Sequence, residues 1–235
     1  MNKVTPQFVT DPILNNCLNI CKESLAGVDS LLKVIKANML ETLEPKVKVS
    51  NEEVERYQYI SHGFSWYSTY VESLHQLLAW AEHLSDTGKL GKSESLILQI
   101  GFSEYLAQLR GGLQMSQNEF IRPNELGVSQ ERIINFFGES AQILIDKGNT
   151  DKARRLLVES MISQIGTPTF VNDGLEDDYG MIRDQFFKFS NEKIVPFAHE
   201  WHLKDELIPD QLIAELAEMG VFSLTIPEEY EGLGM

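Results

Sequence analysis

The stretch "LNNCLNICKESLAGVDSLLKVIKANM", Leu14–Met39, decides the fold class. Leu14, Leu18, Cys21, Leu25, Val28, Leu32, Ile35 and Met39 recur at alternating steps of four and three, the spacing that lines one face of an α-helix. Asp11-Pro12 offers an N-cap and a first-turn proline, and Pro45 ends the run. Roughly 33 residues at 1.5 Å each make a rod of about 50 Å. A second stripe repeats the rule: Val54, Tyr57, Ile60, Phe64, Tyr67, Val71, Leu74, Leu78 and Ala81, with a stop at Thr87-Gly88. Two long seams joined by a short polar link predict an antiparallel pair.

Helical patterns continue outward from this pair. Ser95–Leu109 is apolar on nearly every side and reads as a buried helix ended by Gly111-Gly112. Ser129–Lys147 directs Ile134, Phe137, Ala141 and Leu144 inward, and Asp151–Ser163 directs Leu157 and Met161 inward. Gly148-Asn149-Thr150 separates them as a C-terminal glycine and a new N-cap. No strand alternation is visible, so residues 1–168 read as a helical bundle. "IGTPTFVNDGLEDD" (Ile165–Asp178) then breaks the pattern with glycine, proline and acids, and residues 169–235 form a second part. There, Tyr179–Asp205 predicts a helix with Ile182, Phe186, Phe189, Ile194, Phe197 and Trp201 on its inner face, kinked or divided at Pro196. Asp210–Met219 predicts a shorter helix with Leu212, Ile213 and Leu216 inward and Gly220 as its cap. Val221–Ile226 reads as a short extended segment leading into a glycine-bearing turn.

Charge restricts the partners. The net charge of −15 argues against nucleic acid and against an anionic membrane surface. The acidity is uneven: residues 169–235 hold 15 acidic and 4 basic side chains, residues 1–168 hold 20 and 16. That asymmetry supports the division into two parts. The apolar runs are too short for a membrane span, and the N-terminal residues lack the pattern of a signal peptide, so a cytoplasmic protein is expected.

Several pairs resemble reactive constellations and lack the partners that would complete them. Glu72 and His75 form an E-x-x-H unit, but a helical di-metal site needs two such units and further carboxylates. "HEWH", His199–His202, is one residue short of the zinc-protease motif; surface histidines flanking a buried Trp201 are expected instead. Cys17 and Cys21, one helical turn apart, are expected to be reduced core thiols. "GLGM" follows no buried strand and is no phosphate cradle. No catalytic, cofactor-binding or metal-binding residue is assigned.

"RDQFFKFSNEKIVPFAHEWHLKDELIPDQLIAELAEMGVFSLTIPEEYEGLGM", Arg183–Met235, resembles the N-terminal helical segment of the acyl-CoA dehydrogenase family. The family pattern runs through an arginine and phenylalanines to an isoleucine-x-proline-x-alanine step, here Ile194, Pro196 and Ala198. An aspartate, a proline and a leucine-glutamate-x-glycine helix end come next, here Asp205, Pro209 and Ala217-Glu218-Met219-Gly220. The closing loop is formed by Pro227, Glu228, Glu229, Tyr230, Gly232 and Gly234. Glu231 stands where the family has the first glycine of a pair, and glycine alone adopts φ > 0 freely.

The preceding helices, with "YQYISHGFSWYSTYVESLHQLLAWAEHL" and "LQIGFSEYLAQLRGGLQMSQNEFIRPNELG", are similar to the front end of the family branch that oxidises methylsuccinyl-CoA. The resemblance implies an all-α chain, a long-helix antiparallel bundle followed by the start of the family's N-terminal helical domain. It also implies the parent chemistry, α,β-dehydrogenation of an acyl-CoA thioester by FAD. A carboxylate takes the α-proton, hydrogen-bond donors hold the thioester oxygen, and the flavin accepts the β-hydride. In the family, the base and most FAD contacts lie after the Pro227–Gly234 loop, which leads toward a middle domain. These residues alone are therefore expected to be inactive and not to bind FAD, and Arg183–Met235 to leave an apolar patch exposed. An electron-transfer flavoprotein as acceptor and a homo-oligomer are the implied partners. The alternative is a stand-alone, non-catalytic helical interaction or regulatory module.

Overall fold

A computed structural model describes residues 12–42 and 51–235. Asp11, Pro45 and the side chain of Val54, which entered the helix assignments above, lie outside the described residues. The chain divides into two compact units, the first ending at Gly174 and the second being Leu175–Met235. The sequence reading put its boundary at 168/169.

In the first unit, α1 (Cys17–Thr42) and α2 (Asn51–Asp86) are the long helices. Lys22 pairs with Glu82 and Asp29 with His75, each at 2.7 Å. Positions that advance along α1 thus meet positions that retreat along α2, and the two run antiparallel. The facing stripes are those that the periodicity marked: Cys21, Leu25, Val28 and Ile35 on α1, and Tyr67, Val71, Leu74, Leu78 and Ala81 on α2, are buried. Leu31, rather than its neighbour Leu32, is the fully buried residue of that turn. α1 is shorter than expected. It begins at Cys17, because Asn16 adopts a left-handed conformation (φ 57°) and residues 12–16 form a turn instead of the first helical turns.

Helix α3 (Lys92–Gly111) is the central element, with Leu96, Leu98, Phe102, Leu106 and Leu109 buried. It packs on α2, on α5 (Glu139–Lys147) and on α6 (Asp151–Ser163). The hydroxyl of Tyr67 donates to the carbonyl of Leu109 at 2.9 Å, closing its C-terminal end. Gln99 is fully buried inside this junction and binds three backbone groups. Its Nε2 donates to the carbonyls of Pro12 (2.8 Å) and Gly148 (2.9 Å), and its Oε1 accepts from the Leu14 amide (2.9 Å). Glu94, also buried, holds its own helix start by accepting from Gly91 N–H at 3.1 Å. Its second oxygen accepts from Asn172 N–H at 2.7 Å and ties the segment after α6 to the bundle.

Three sequence expectations for this unit are corrected. Ser129–Lys147 is two helices, α4 (Gln130–Phe136) and α5, because Phe137 leaves helical geometry to bury its ring and Gly138 extends the backbone. Ile133 faces the core in place of Ile134, which is 58% exposed, and Met161 on α6 is also exposed. A two-residue antiparallel pair, β1 (Leu113–Gln114) with β2 (Phe120–Ile121), sits between α3 and α4. It is too short to produce alternation, yet it buries Leu113 and Ile121. The predicted cap at Thr150 is present, its Oγ1 accepting from Ala153 N–H at 3.2 Å.

The second unit consists of α7 (Asp177–Phe189), a π-helical turn (Ser190–Ile194), α8 (Val195–Lys204), α9 (Asp210–Glu218) and two 3₁₀ turns, Val221–Ser223 and Glu228–Tyr230. The division foreseen at Pro196 is the π turn. Proline has no N–H for the carbonyl four residues back, and its ring crowds that carbonyl, so the ladder widens just before it. The described residues are all-α apart from the small β pair. Among the described residues, no helix is long and apolar enough to cross a membrane.

Candidate functional site

The residues that carried the family pattern lie in the second unit, and most of them set the course of the backbone. Ile194 and Pro196 make the π turn and the restart of the helix. Asp205 ends α8 in a left-handed conformation (φ 54°), its amide donating to the Trp201 and His202 carbonyls. Pro209 precedes α9, and Gly220 (φ 82°) ends it. Each of these five positions is thus a start, a stop or a break in a helix.

The closing loop folds back on the turn before it. Val221–Ile226 is not extended: Gly220 turns the chain into the 3₁₀ turn Val221–Ser223, and Ile226 N–H donates to the Ser223 carbonyl at 3.2 Å. Leu233 N–H donates to Ser223 (2.8 Å), Gly234 N–H to Ile226 (2.9 Å) and Met235 N–H to Leu224 (2.8 Å). Gly232 donates to Pro227 at 3.2 Å. A Cβ on Gly232 would stand 1.9 Å from the Ile226 carbonyl oxygen, so glycine is required by close approach. Glu228, Glu229 and Tyr230 form the outer 3₁₀ turn and are exposed.

Glu231 adopts a positive φ (φ 63°, ψ 22°) and accepts the strain of a left-handed side-chain residue. Glu231→Gly is expected to stabilise the loop by about 1 kcal/mol. Slower hydrogen exchange at the Gly232 and Gly234 amides checks this.

Packing in this unit is thin. Leu212 is its buried hydrophobic residue, while Phe197 (46%) and Ile213 (42%), both expected inward, are exposed. Ile182, Phe186, Phe189, Ile194, Trp201 and Leu216 are half-buried. Phe197 and Trp201 stack with centroids 5.9 Å apart. They line a shallow groove with Lys193, Pro209, Gln211 and Leu212, closed by the Lys193–Glu215 ion pair at 3.1 Å. Leu203, Leu207 and Ile208 are also strongly exposed, Leu207 at 92%. Sequence reasoning gave them no role, because they flank the Asp205 stop and belong to no periodic stripe. Their clustering around a helix end was the available signal.

The other pairs singled out from sequence separate in space. His75 Nε2 meets Asp29 at 2.7 Å, whereas Glu72 accepts from Gln76 on its own helix. His199 and His202 are exposed. Among the described residues, no group of three or more histidine, cysteine, aspartate or glutamate side chains could hold a metal ion. Cys17 and Cys21 are brought together, both buried, with sulfurs 3.9 Å apart.

Flavin adenine dinucleotide would need donors for its pyrophosphate and an enclosed slot for its ring. In residues 169–235, Arg183 pairs with Asp184, Lys193 with Glu215 and Lys204 with Glu200, which engages three of the four cations of that segment. The groove beside Trp201 is shallow. These residues do not fit the cofactor by themselves.

Residues 176–235 match the family model described as acyl-CoA dehydrogenase, N-terminal domain. Over 224 residues, 95% of its length, the chain is 44% identical to (2S)-methylsuccinyl-CoA dehydrogenase of Cereibacter sphaeroides and spans 40% of that protein. It is 36% identical over 61 residues to glutaryl-CoA dehydrogenase of Desulfococcus multivorans, a match to 26% of this chain and 16% of that enzyme. The chain therefore spans less than half the length of the curated relatives it matches.

Proposed function

We propose that this chain is the front portion of an FAD-dependent acyl-CoA dehydrogenase acting between Cα and Cβ of methylsuccinyl-CoA. In this reading, the flavin site and the catalytic base belong to the part of the enzyme that the longer relative has and these residues do not cover. Electrons leave to an electron-transfer flavoprotein, and the enzyme is a homo-oligomer. The observation that carries the substrate class is the extent of the match. Similarity to the methylsuccinyl-CoA enzyme runs through 95% of the chain and so includes the first helical unit, while the glutaryl-CoA enzyme matches 26%. The thinly packed second unit, with its exposed apolar residues and engaged cations, supports dependence on further protein.

The test is purification with excess FAD, followed by dye reduction with methylsuccinyl-CoA. The 235-residue chain is expected to be colourless and inactive. Supplying the rest of the Cereibacter enzyme as a second polypeptide is expected to restore methylsuccinyl-CoA-dependent reduction. A yellow chain with stoichiometric flavin would overturn the dependence on further protein. Restored activity with glutaryl-CoA in place of methylsuccinyl-CoA would overturn the substrate class.

A further inference from the structure

The structure assigns a bidentate thiol site at Cys17 and Cys21, shaped for one thiophilic atom that takes two thiolates, and we propose a trivalent arsenical as the class of ligand. The two sulfurs are 3.9 Å apart on consecutive turns of α1. A direct S–S bond suits them poorly. Side chains one helical turn apart have Cβ atoms about 5–6 Å apart, and a disulfide brings them to about 3.5–4.5 Å. An inserted atom removes that conflict. With sulfur bonds of about 2.3 Å, the length typical of a metal thiolate, a pyramidal bridging atom with an angle of roughly 100° holds its sulfurs about 3.5 Å apart, a few tenths of an ångström closer than they stand here.

Charge narrows the ligand. Cys17 and Cys21 are 8% and 0% exposed, and Leu25 and Val28 continue their buried face along α1. Two buried thiolates holding a monovalent cation would leave an unpaired negative charge in the core, at considerable cost. An organoarsenic(III) group carries two charges toward sulfur and gives a neutral product. It needs no third protein ligand, in keeping with the absence among the described residues of a three-membered metal cluster. Zinc, which closes its shell with four ligands, does not suit the pair.

The protons are also distributed for stepwise attack. Hydrogen bonding from Cys21 holds the Cys17 thiol below its usual range despite burial. The bond to Cys17, reinforced by burial, holds the Cys21 thiol above it. Cys17 is the first residue of α1, where the helix end favours a thiolate. In the reaction with phenylarsine oxide, two As–S bonds form, the two S–H bonds and the As–O double bond break, and one water leaves. Arsenic stays trivalent and no oxidant is consumed.

Phenylarsine oxide is the probe, with intact-mass spectrometry of the folded chain as the readout. One phenylarsenic group per chain is expected, removable by an excess of a small 1,2-dithiol. Cys17→Ser and Cys21→Ser are each expected to weaken uptake about a hundredfold, because the second bond is intramolecular. Circular dichroism of the serine variants establishes that they remain folded. Failure of the folded wild-type chain to take up the probe, or equal uptake by either single-cysteine variant, would overturn the site. Neither outcome bears on the acyl-CoA reading.

Discussion

Gln99→Leu is expected to destabilise the first unit by about 3 kcal/mol, even though leucine is similar in size and suits the surrounding core. Gln99 is fully buried and closes three backbone hydrogen bonds: from the Leu14 amide and to the carbonyls of Pro12 and Gly148. Leucine leaves all three groups without their partner. Each buried orphan costs about 1–3 kcal/mol. Pro12 and Leu14 are half-buried and can recover water, which holds the sum near the lower end. For a chain of this size, the loss corresponds to a fall in Tm of about 6–12 °C. Thermal unfolding followed by circular dichroism checks it, and an unchanged midpoint would show that the turn before α1 contributes nothing to stability. Because Gln99 joins that turn, α3 and the α5–α6 junction, amide exchange should rise at all three places together.

The second large effect is expected at Gly232→Ala. The added methyl would meet a backbone carbonyl, Ile226 O, at 1.9 Å, and a carbonyl cannot turn aside as a side chain does. Inserting a carbon into a filled site costs about 1–3 kcal/mol, and a backbone obstacle puts this case at the top of that range. The loop has few bonds with which to resist. The amides of Gly232, Leu233, Gly234 and Met235 donate back to Pro227, Ser223, Ile226 and Leu224, and all four are expected to lose exchange protection. Amides in α1 to α3 serve as the internal control, since nothing in the first unit should change. Retained protection at Leu233 and Gly234 would mean that the loop is held by something other than these bonds.

The helices were legible because burial there follows a single period. The stripe through Cys21, Leu25, Val28 and Ile35 lies buried on α1, and the stripe from Tyr67 to Ala81 on α2 is as complete. What failed depended on one residue choosing a partner outside its own helix. Phe137 leaves the helix to enter the core, which splits the predicted Ser129–Lys147 segment, and no periodicity announces that choice. The turn at residues 12–16 depends on Gln99, which is 85 residues distant from Leu14. Val221–Ile226 has the composition of a strand but finds no second strand to pair with. Its carbonyls accept from the closing loop instead. At the candidate site, the motif order was readable, and so was the special position of Glu231. That the apolar residues of the second unit would be mostly half-buried or exposed was expected for the segment, but not residue by residue. Phe197 and Ile213 follow the helical period as faithfully as Leu212, and period alone cannot say whether a face has anything to cover it.

The π turn at Ser190–Ile194 has a geometric effect on everything after it. A helix advances about 100° per residue, so one residue added to a turn rotates the downstream half by nearly a third of a revolution. The step of five from Phe189 to Ile194 would carry the apolar stripe off its face in a regular α-helix, and the residue taken up by the π turn brings it back, so the edge of Ile182, Phe186 and Phe189 continues into that of Ile194, Phe197 and Trp201. A rod laid along the first edge meets the second without changing face, and without the added residue it would miss it.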